Sequence, residues 1–325
     1  MKVLIFGGTG FVGINIAAAL LGRGHRVTLF DRIALPRAAH RIFAGYDELL
    51  TVVQGDVTEP QSVETTIAGG FDAIILGAAI TAGPAREAVD PQSILQVNLL
   101  AQLPILMAAR HGRVGRIINL SSAAAYGAAA FRNTLLDEET ACDPVSLYAI
   151  TKYASEKMAA RLAELWQSDI ISVRLSGVFG PWERATGLRD TPSPQMQIIA
   201  ALRQREEAVL SRPGIRDWIY APDVADAVTL LTEAVKPKHG LYNISTGREW
   251  SALQWGQDLA ALHHGFVCRL AEPGEAATID LHSEADRAPL SALRMEQEFG
   301  WRAGFGCADS AADLDKWWMR HGKGM

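Results

Sequence analysis

MKVLIFGGTGFVG, residues Met1 to Gly13, is the stretch on which the reading of the whole chain turns. Lys2 to Phe6 form a short apolar run rich in branched residues, which suits a strand buried on both faces of a parallel sheet. From Phe11 the apolar residues Phe11, Ile14, Ala18 and Leu21 recur at helical spacing, so the segment reads as strand, tight turn, helix. In that context each glycine has its own task. Gly7 allows the tight turn, Gly10 lets backbone N–H groups approach a pyrophosphate, and Gly13 lets the helix pack on the strand with its positive end toward the phosphates. Phe11 and Val12 lie between them in the same turn and are expected to line the same site. The spacing fits both Gly7-x-x-Gly10-x-x-Gly13 and Gly8-x-Gly10-x-x-Gly13, and it predicts a dinucleotide-binding unit.

Outward from this unit, Arg26 to Phe30 read as a second strand ending in Asp31, 18 residues beyond Gly13. A carboxylate there receives the adenosine ribose hydroxyls and repels the extra phosphate of NADP, so NAD is the expected cofactor. Arg32 beside it is either a receptor for that phosphate or a solvated charge. A third strand, Leu49 to Val53, runs into Gly55-Asp56-Val57, where Asp56 accepts from an adenine amine or caps the next turn. Phe71 to Leu76 form a fourth strand, followed by Gly77-Ala78-Ala79, small residues that leave room for a flat ligand. Ile94 to Arg110 are an amphipathic helix, Arg116 to Leu120 a fifth strand ending in Ser121 and Ser122, and Ile170 to Leu175 a sixth. The alternation predicts an α/β chain: a Rossmann-type doubly wound parallel sheet with its ligand at the carboxyl ends of the strands. Residues 1–175 are expected to form this dinucleotide-binding domain. Residues 176–325 are expected to form a smaller substrate-binding part with a soft boundary, since such parts return segments to the main sheet.

Ser146 to Gln167 are helical by pattern and contain Tyr148-Ala149-Ile150-Thr151-Lys152. Tyr148 and Lys152, four apart, share a helix face. A phenol of reference pKa about 10 is a poor base at neutral pH, and a neighbouring ammonium favours the phenolate. On an isolated helix such a pair is ordinarily surface. Downstream of a dinucleotide turn and a strand-end serine, it reads as a catalytic pair. Ser176 to Pro194 are turn-rich and long enough for a substrate lid, while Trp182, Trp218 and Trp301 read as core or lid packing.

At 325 residues, with 49% hydrophobic and 21% charged residues, the chain has the balance of a globular enzyme rather than of a disordered segment. A formal net charge of −5 gives no electrostatic reason to expect nucleic acid or an anionic membrane as partner. Cys142, Cys268 and Cys307 are odd in number and widely spaced, as reduced thiols of a cytoplasmic protein are, and they form no metal-ligand pattern. The apolar N-terminus is too short for a signal peptide, and no run approaches transmembrane length.

Taken together, these motifs resemble the extended short-chain dehydrogenase/reductases, in the NAD-dependent epimerase/dehydratase group typified by UDP-galactose 4-epimerase. The resemblance covers nearly the whole chain. It rests on GGTGFVG, Asp31, GDV at Gly55 to Val57, GAA at Gly77 to Ala79, Asn98, SSAAAYG at Ser121 to Gly127, YAITK at Tyr148 to Lys152, VFGP at Val178 to Pro181 and RDWIYAPDVADAV at Arg216 to Val228. It implies Ser122, Tyr148 and Lys152 as the catalytic set and Asn98 as part of the cofactor site. Ala123, Gly177 and Arg216 are implied at the substrate, and a homodimer packed through the helices holding Asn98 and Tyr148. Two departures narrow the chemistry. Ala123 and Ala124 stand where dehydrating or decarboxylating members carry acids, and Gly177 stands where many nucleotide-sugar enzymes carry an asparagine on the diphosphate. The implied activity is that of an NAD-dependent sugar epimerase or oxidoreductase acting on a nucleotide sugar, with a dehydrogenase of a free sugar or sugar acid as the alternative. A dinucleotide-sensing protein without turnover is disfavoured by the intact Ser122, Tyr148 and Lys152.

Overall fold

The N-terminal apolar run lies well inside a seven-stranded parallel sheet. The computed structural model describes residues 1–322. Its sheet strands are β1 (Lys2–Phe6), β2 (Arg26–Asp31), β3 (Leu50–Gln54), β4 (Ala73–Leu76), β5 (Arg116–Ser122), β6 (Ile170–Leu175) and β7 (Leu241–Ile244), in the order β7-β6-β5-β4-β1-β2-β3. The chain winds outward from β1 to β3, then crosses back and winds the other way from β4. The switch point therefore lies between β1 and β4, where a doubly wound sheet opens a crevice at its carboxyl ends. β7 pairs with β6 from Leu241↔Ser172 to Ile244↔Leu175, so the C-terminal half completes the sheet.

Alternation along β1 feeds two cores. Val3 and Ile5 pack with Ile14, Ile16 and Leu20 of α1 (Phe11–Gly22) and with Val224, Val228 and Leu231 of α4 (Ala221–Glu233). Leu4 and Phe6 face the other way, onto Ile105, Leu106 and Ala109 of α2 (Pro91–His111) and Ala159 of α3 (Leu147–Trp166). A period of two in the strand meeting a period near 3.6 in the helices is what buries both sheet faces. A third cluster, with Phe179, Ile198, Trp218, Tyr220, Trp255 and Leu314, is formed by residues that all lie beyond Ser176 in the chain. Trp182, Trp218 and Trp301 are all buried.

Four expectations change in detail. By length and composition α2 is apolar enough to cross a membrane, contrary to the reading that no run approaches that length. Ile94, Ile105, Leu106 and Ala109 are nonetheless buried in the core, which accounts for part of the apolar composition, while Leu100, Leu103 and Met107 are exposed. The same helix is not uniform, since Gln96–Leu100 form a π-helical segment around Asn98. β5 runs on through Ser122, so both serines belong to the strand end itself. The long segment after Ser176 contains a short strand, Val178–Phe179, paired with Ile219–Tyr220.

The glycine turn depends on close backbone approach. A Cβ on Gly13 would sit 2.4 Å from the Gly7 carbonyl oxygen, and Gly7 itself has φ +74°. Gly13→Ala should therefore lower the unfolding free energy by about 1–3 kcal/mol, the usual cost of forcing a methyl into a packed contact. Urea unfolding checks this, and an unchanged midpoint would mean that α1 is not pressed against the turn.

Candidate active site

A cleft of about 880 Å³ opens at the carboxyl ends of the sheet strands, near the upper end of the roughly 300–1,000 Å³ range of ligand pockets. At one end lie Gly7, Gly10, Phe11, Val12, Gly13, Asp31, Arg32, Asp56, Val57, Gly77, Ala78 and Ala79. Ser122, Ala123, Tyr148 and Lys152 are on its wall, with Gly177 and Arg216 beyond. The fold thus gathers residues spread over more than two hundred positions into one surface.

The glycine-turn end of the cleft is built from backbone. Gly10 begins α1 with no side-chain cap, and the first turn holds no acidic residue, so its leading N–H groups remain open to an anion. A Cβ on Gly10 would stand 3.2 Å from the Gly7 carbonyl oxygen, so even a methyl would crowd the turn. Asp31 is oriented by two backbone donors, Thr9 N at 3.2 Å and Ile33 N at 3.1 Å, and each carboxylate oxygen keeps a lone pair for a ribose hydroxyl. Asp56 caps its turn: Oδ1 accepts from Thr58 N and Thr58 Oγ at 2.9 and 2.7 Å. Its other oxygen is 4.0 Å from the half-exposed Arg32. Asn98 is fully buried. Its Oδ1 accepts from Ile80 N at 2.7 Å and its Nδ2 donates to Ile80 O at 2.9 Å, so it clamps the segment after β4 from behind.

Ser122, half-buried at the end of β5, accepts from Ala124 N at 3.1 Å, leaving its hydroxyl proton and a lone pair for a ligand. Tyr148 is half-buried on the cleft wall. Lys152 is 3% exposed; its Nζ donates to Leu120 O at 2.8 Å and lies 5.9 Å from the Tyr148 ring centre. Burial pulls the Lys152 ammonium down from its ordinary range, while Tyr148 and Glu156 pull it back up. Behind this set lies a buried polar group that the sequence did not disclose. Glu156, one turn beyond Lys152, accepts from Ser121 Oγ and pairs with Arg174 (Nε–Oε1 3.0 Å, Nη2–Oε2 2.7 Å). Arg174 in turn lies 4.4 Å over the ring of Tyr126. Tyr126 is wholly buried, and burial pushes its phenol up to about 12. Of the two tyrosines, only Tyr148 meets the cleft.

At the far end Arg216 lies 4.8 Å over the Trp218 ring. Its guanidinium is held below the usual range by burial and by the nearby cation of Arg287. Arg287 also lines the cleft, donating from Nη2 to Ser176 Oγ at 2.8 Å and standing 2.9 Å from Asp217 Oδ1. No motif marks Arg287, which arrives from a loop 71 positions beyond Arg216. Gly177 has a packing reason. A Cβ there would come 2.6 Å from the Trp218 ring and 3.2 Å from the Arg216 side chain. Among the described residues no cluster of three His, Cys, Asp or Glu could hold a metal ion.

The model of the NAD dependent epimerase/dehydratase family matches residues 3–245. UDP-glucose 4-epimerase of Corynebacterium glutamicum is 26% identical over 316 residues, covering 93% of this chain and 90% of that protein. The enzyme of the same name from Bacillus subtilis is 25% identical, over 98% of this chain and 96% of its own length. Among solved structures, UDP-N-acetylglucosamine 4-epimerase from Methanobrevibacter ruminantium superposes with TM-score 0.80 at 23% identity, covering 98% of each chain. UDP-glucuronic acid 4-epimerase from Bacillus cereus, in complex with NAD, gives 0.79 at 17%, covering 98% of this chain and 99% of that one. At these identities the structures establish the fold.

The ion pair behind the site carries its own expectation. Arg174→Leu leaves the Glu156 carboxylate buried without its cation and should lower stability by about 3–5 kcal/mol, whereas Arg174→Leu combined with Glu156→Leu should recover most of that loss. Chemical denaturation of both variants checks this; equal losses in the two would mean that the pair is not coupled.

Proposed function

The chain belongs to the NAD dependent epimerase/dehydratase family, and from that premise we propose that it is an NAD-dependent sugar-modifying enzyme. Its reaction is 4-epimerase-like and its substrate a nucleotide sugar. The observation that carries this is the single cleft joining an open glycine turn, Tyr148 with Lys152, and the two cations Arg216 and Arg287. The glycine turn and the first turn of α1 would hold the NAD diphosphate, Asp31 the adenosine ribose, and Lys152 with Tyr148 the nicotinamide ribose. Bound NAD supplies the acceptor, and on reversal the donor, of a hydride.

The residues of the chain handle the proton. Tyr148, as phenolate, takes it from a substrate hydroxyl, and Ser122 donates a hydrogen bond to the same oxygen as negative charge develops there. The Lys152 ammonium, fixed by Leu120 O, stabilises the phenolate oxygen. Ala123 and Ala124 offer no carboxyl beside Ser122, in keeping with epimerisation rather than dehydration. Leu100, Leu103 and Met107 on α2 and Leu165 on α3 are exposed, which supports a homodimer packed on those helices.

For the substrate, Arg216 and Arg287 support a diphosphate, because charge-assisted donors are its strongest partners. Gly177 contributes no donor and favours the second reading, a sugar-acid dehydrogenase that uses the same arginines for a carboxylate. Tyr148→Phe should reduce turnover by about 10²–10⁴-fold with NAD affinity nearly unchanged; near-wild-type turnover would remove Tyr148 from the mechanism. UDP should inhibit competitively, and the inhibition should vanish in Arg216→Ala. Turnover of sugar acids without inhibition by any nucleoside diphosphate selects the second reading. A panel of nucleotide sugars and sugar acids, followed by chromatography for epimers and by absorbance for net reduction, separates the two.

A further inference from the structure

The loop from Glu183 to Ser193 crosses the cleft rather than hanging beside it. Its neck is stapled, since the buried Glu183 carboxylate accepts from Ser193 N and Ser193 Oγ, both at 2.6 Å. On one side the loop is bonded to the segment after β4: Thr81 N donates to Leu188 O at 2.7 Å, Asp190 N to Thr81 O at 3.1 Å, and Gly83 N to Asp190 Oδ2 at 2.8 Å. On the other it reaches the glycine turn. Arg184 Nη2 donates to Thr9 O at 3.0 Å, and the Arg189 guanidinium lies 5.9 Å over Phe11.

The two arginines of the loop are not equivalent. Arg189 has a carboxylate, Glu183, at 3.2 Å. Arg184 Nη1 is buried on the cleft lining without a hydrogen-bond partner, and burial holds this guanidinium below its ordinary range against the pull of Asp31. Arg184 as a whole is half-buried and Nη2 is taken by Thr9 O, but a buried guanidinium nitrogen left without a partner, as Nη1 is, is costly unless an anion arrives to take it. The neighbouring turn, Gly7 to Gly13, offers backbone N–H groups to a diphosphate but no cation. We propose that Arg184 is the side-chain partner of the dinucleotide's diphosphate, so that the loop closes over the cofactor through an ion pair with it. This inference rests on the cofactor assignment above. The fork geometry of arginine suits two phosphate oxygens, and the bond to Thr9 O ties the loop to the turn beneath those phosphates. Cofactor release then requires this loop to lift.

Calorimetric titration of NAD, ADP and adenosine into wild type, Arg184→Gln and Arg184→Lys tests it, with NAD dissociation followed by intrinsic fluorescence. Arg184→Gln should weaken NAD and ADP by about 10- to 100-fold, as loss of a charge-assisted hydrogen bond does, and speed NAD release. Adenosine, which has no phosphate, should change less than twofold, and Arg184→Lys should restore part of the ADP affinity. Unchanged NAD and ADP binding in Arg184→Gln, or adenosine weakened in the same proportion, would overturn the assignment and leave Arg184 a loop-packing residue. Wild type that binds neither NAD nor ADP would overturn the cofactor assignment itself, and the inference with it.

Discussion

No side chain fits between Gly7 and Gly13. A Cβ on Gly13 would meet the Gly7 carbonyl at 2.4 Å, and one on Gly7 would meet Ala78 N at 2.6 Å. These contacts hold α1 on β1 and bring the end of β1 against the end of β4, the two strands at which the winding reverses. Everything at the mouth of the crevice is placed relative to that contact. Asp31 is steered by Thr9 N, and the crossing loop is tied down through Thr9 O. One tight turn therefore sets the floor, one wall and part of the roof of the cleft.

Behind the cleft wall that carries Ser122 and Tyr148 the protein places charge where water does not reach. Lys152, Glu156 and Arg174 are each at most 5% exposed. Such groups are tolerated because each is answered: Lys152 by Leu120 O, Glu156 by Ser121 and Arg174, and Arg174 also by the face of Tyr126. The arrangement fixes β5, α3 and β6 to one another just below Ser122 and Tyr148. It also separates the two tyrosines of the region. Burial keeps Tyr126 protonated as a structural phenol, while Tyr148 stands on the cleft with the ammonium beside it.

At the other end of the cleft a departure from family pattern has a local cause. Trp218 lies where a side chain on residue 177 would be, and Arg216 stacks on that indole. A glycine is what this packing allows. Of the cations that remain, Arg216 has its hold on a proton weakened by burial and by the neighbouring charge of Arg287. Two arginines therefore line this end of the cleft.

Much of this was legible in the chain itself. The alternation of apolar runs with helical periods gave six strand positions close to those observed, and the glycine spacing located the crevice, because φ above zero and close backbone approach leave a signature in residue type. Tyr148 and Lys152 were legible because four residues is one helical turn. Other features had no such mark. Whether Asn98 touches a ligand or clamps Ile80 from behind depends on which way a π-helical segment turns its side chain. Arg287, Arg184 and the Glu156–Arg174 pair join residues 18 to 175 positions from their partners, and a single arginine in a polar loop looks the same in sequence whether it is solvated or buried. Local periodicity and glycine spacing thus determined the sheet and the turn. Only the packed chain decided which charges lost their water, because desolvation depends on neighbours in space rather than in sequence.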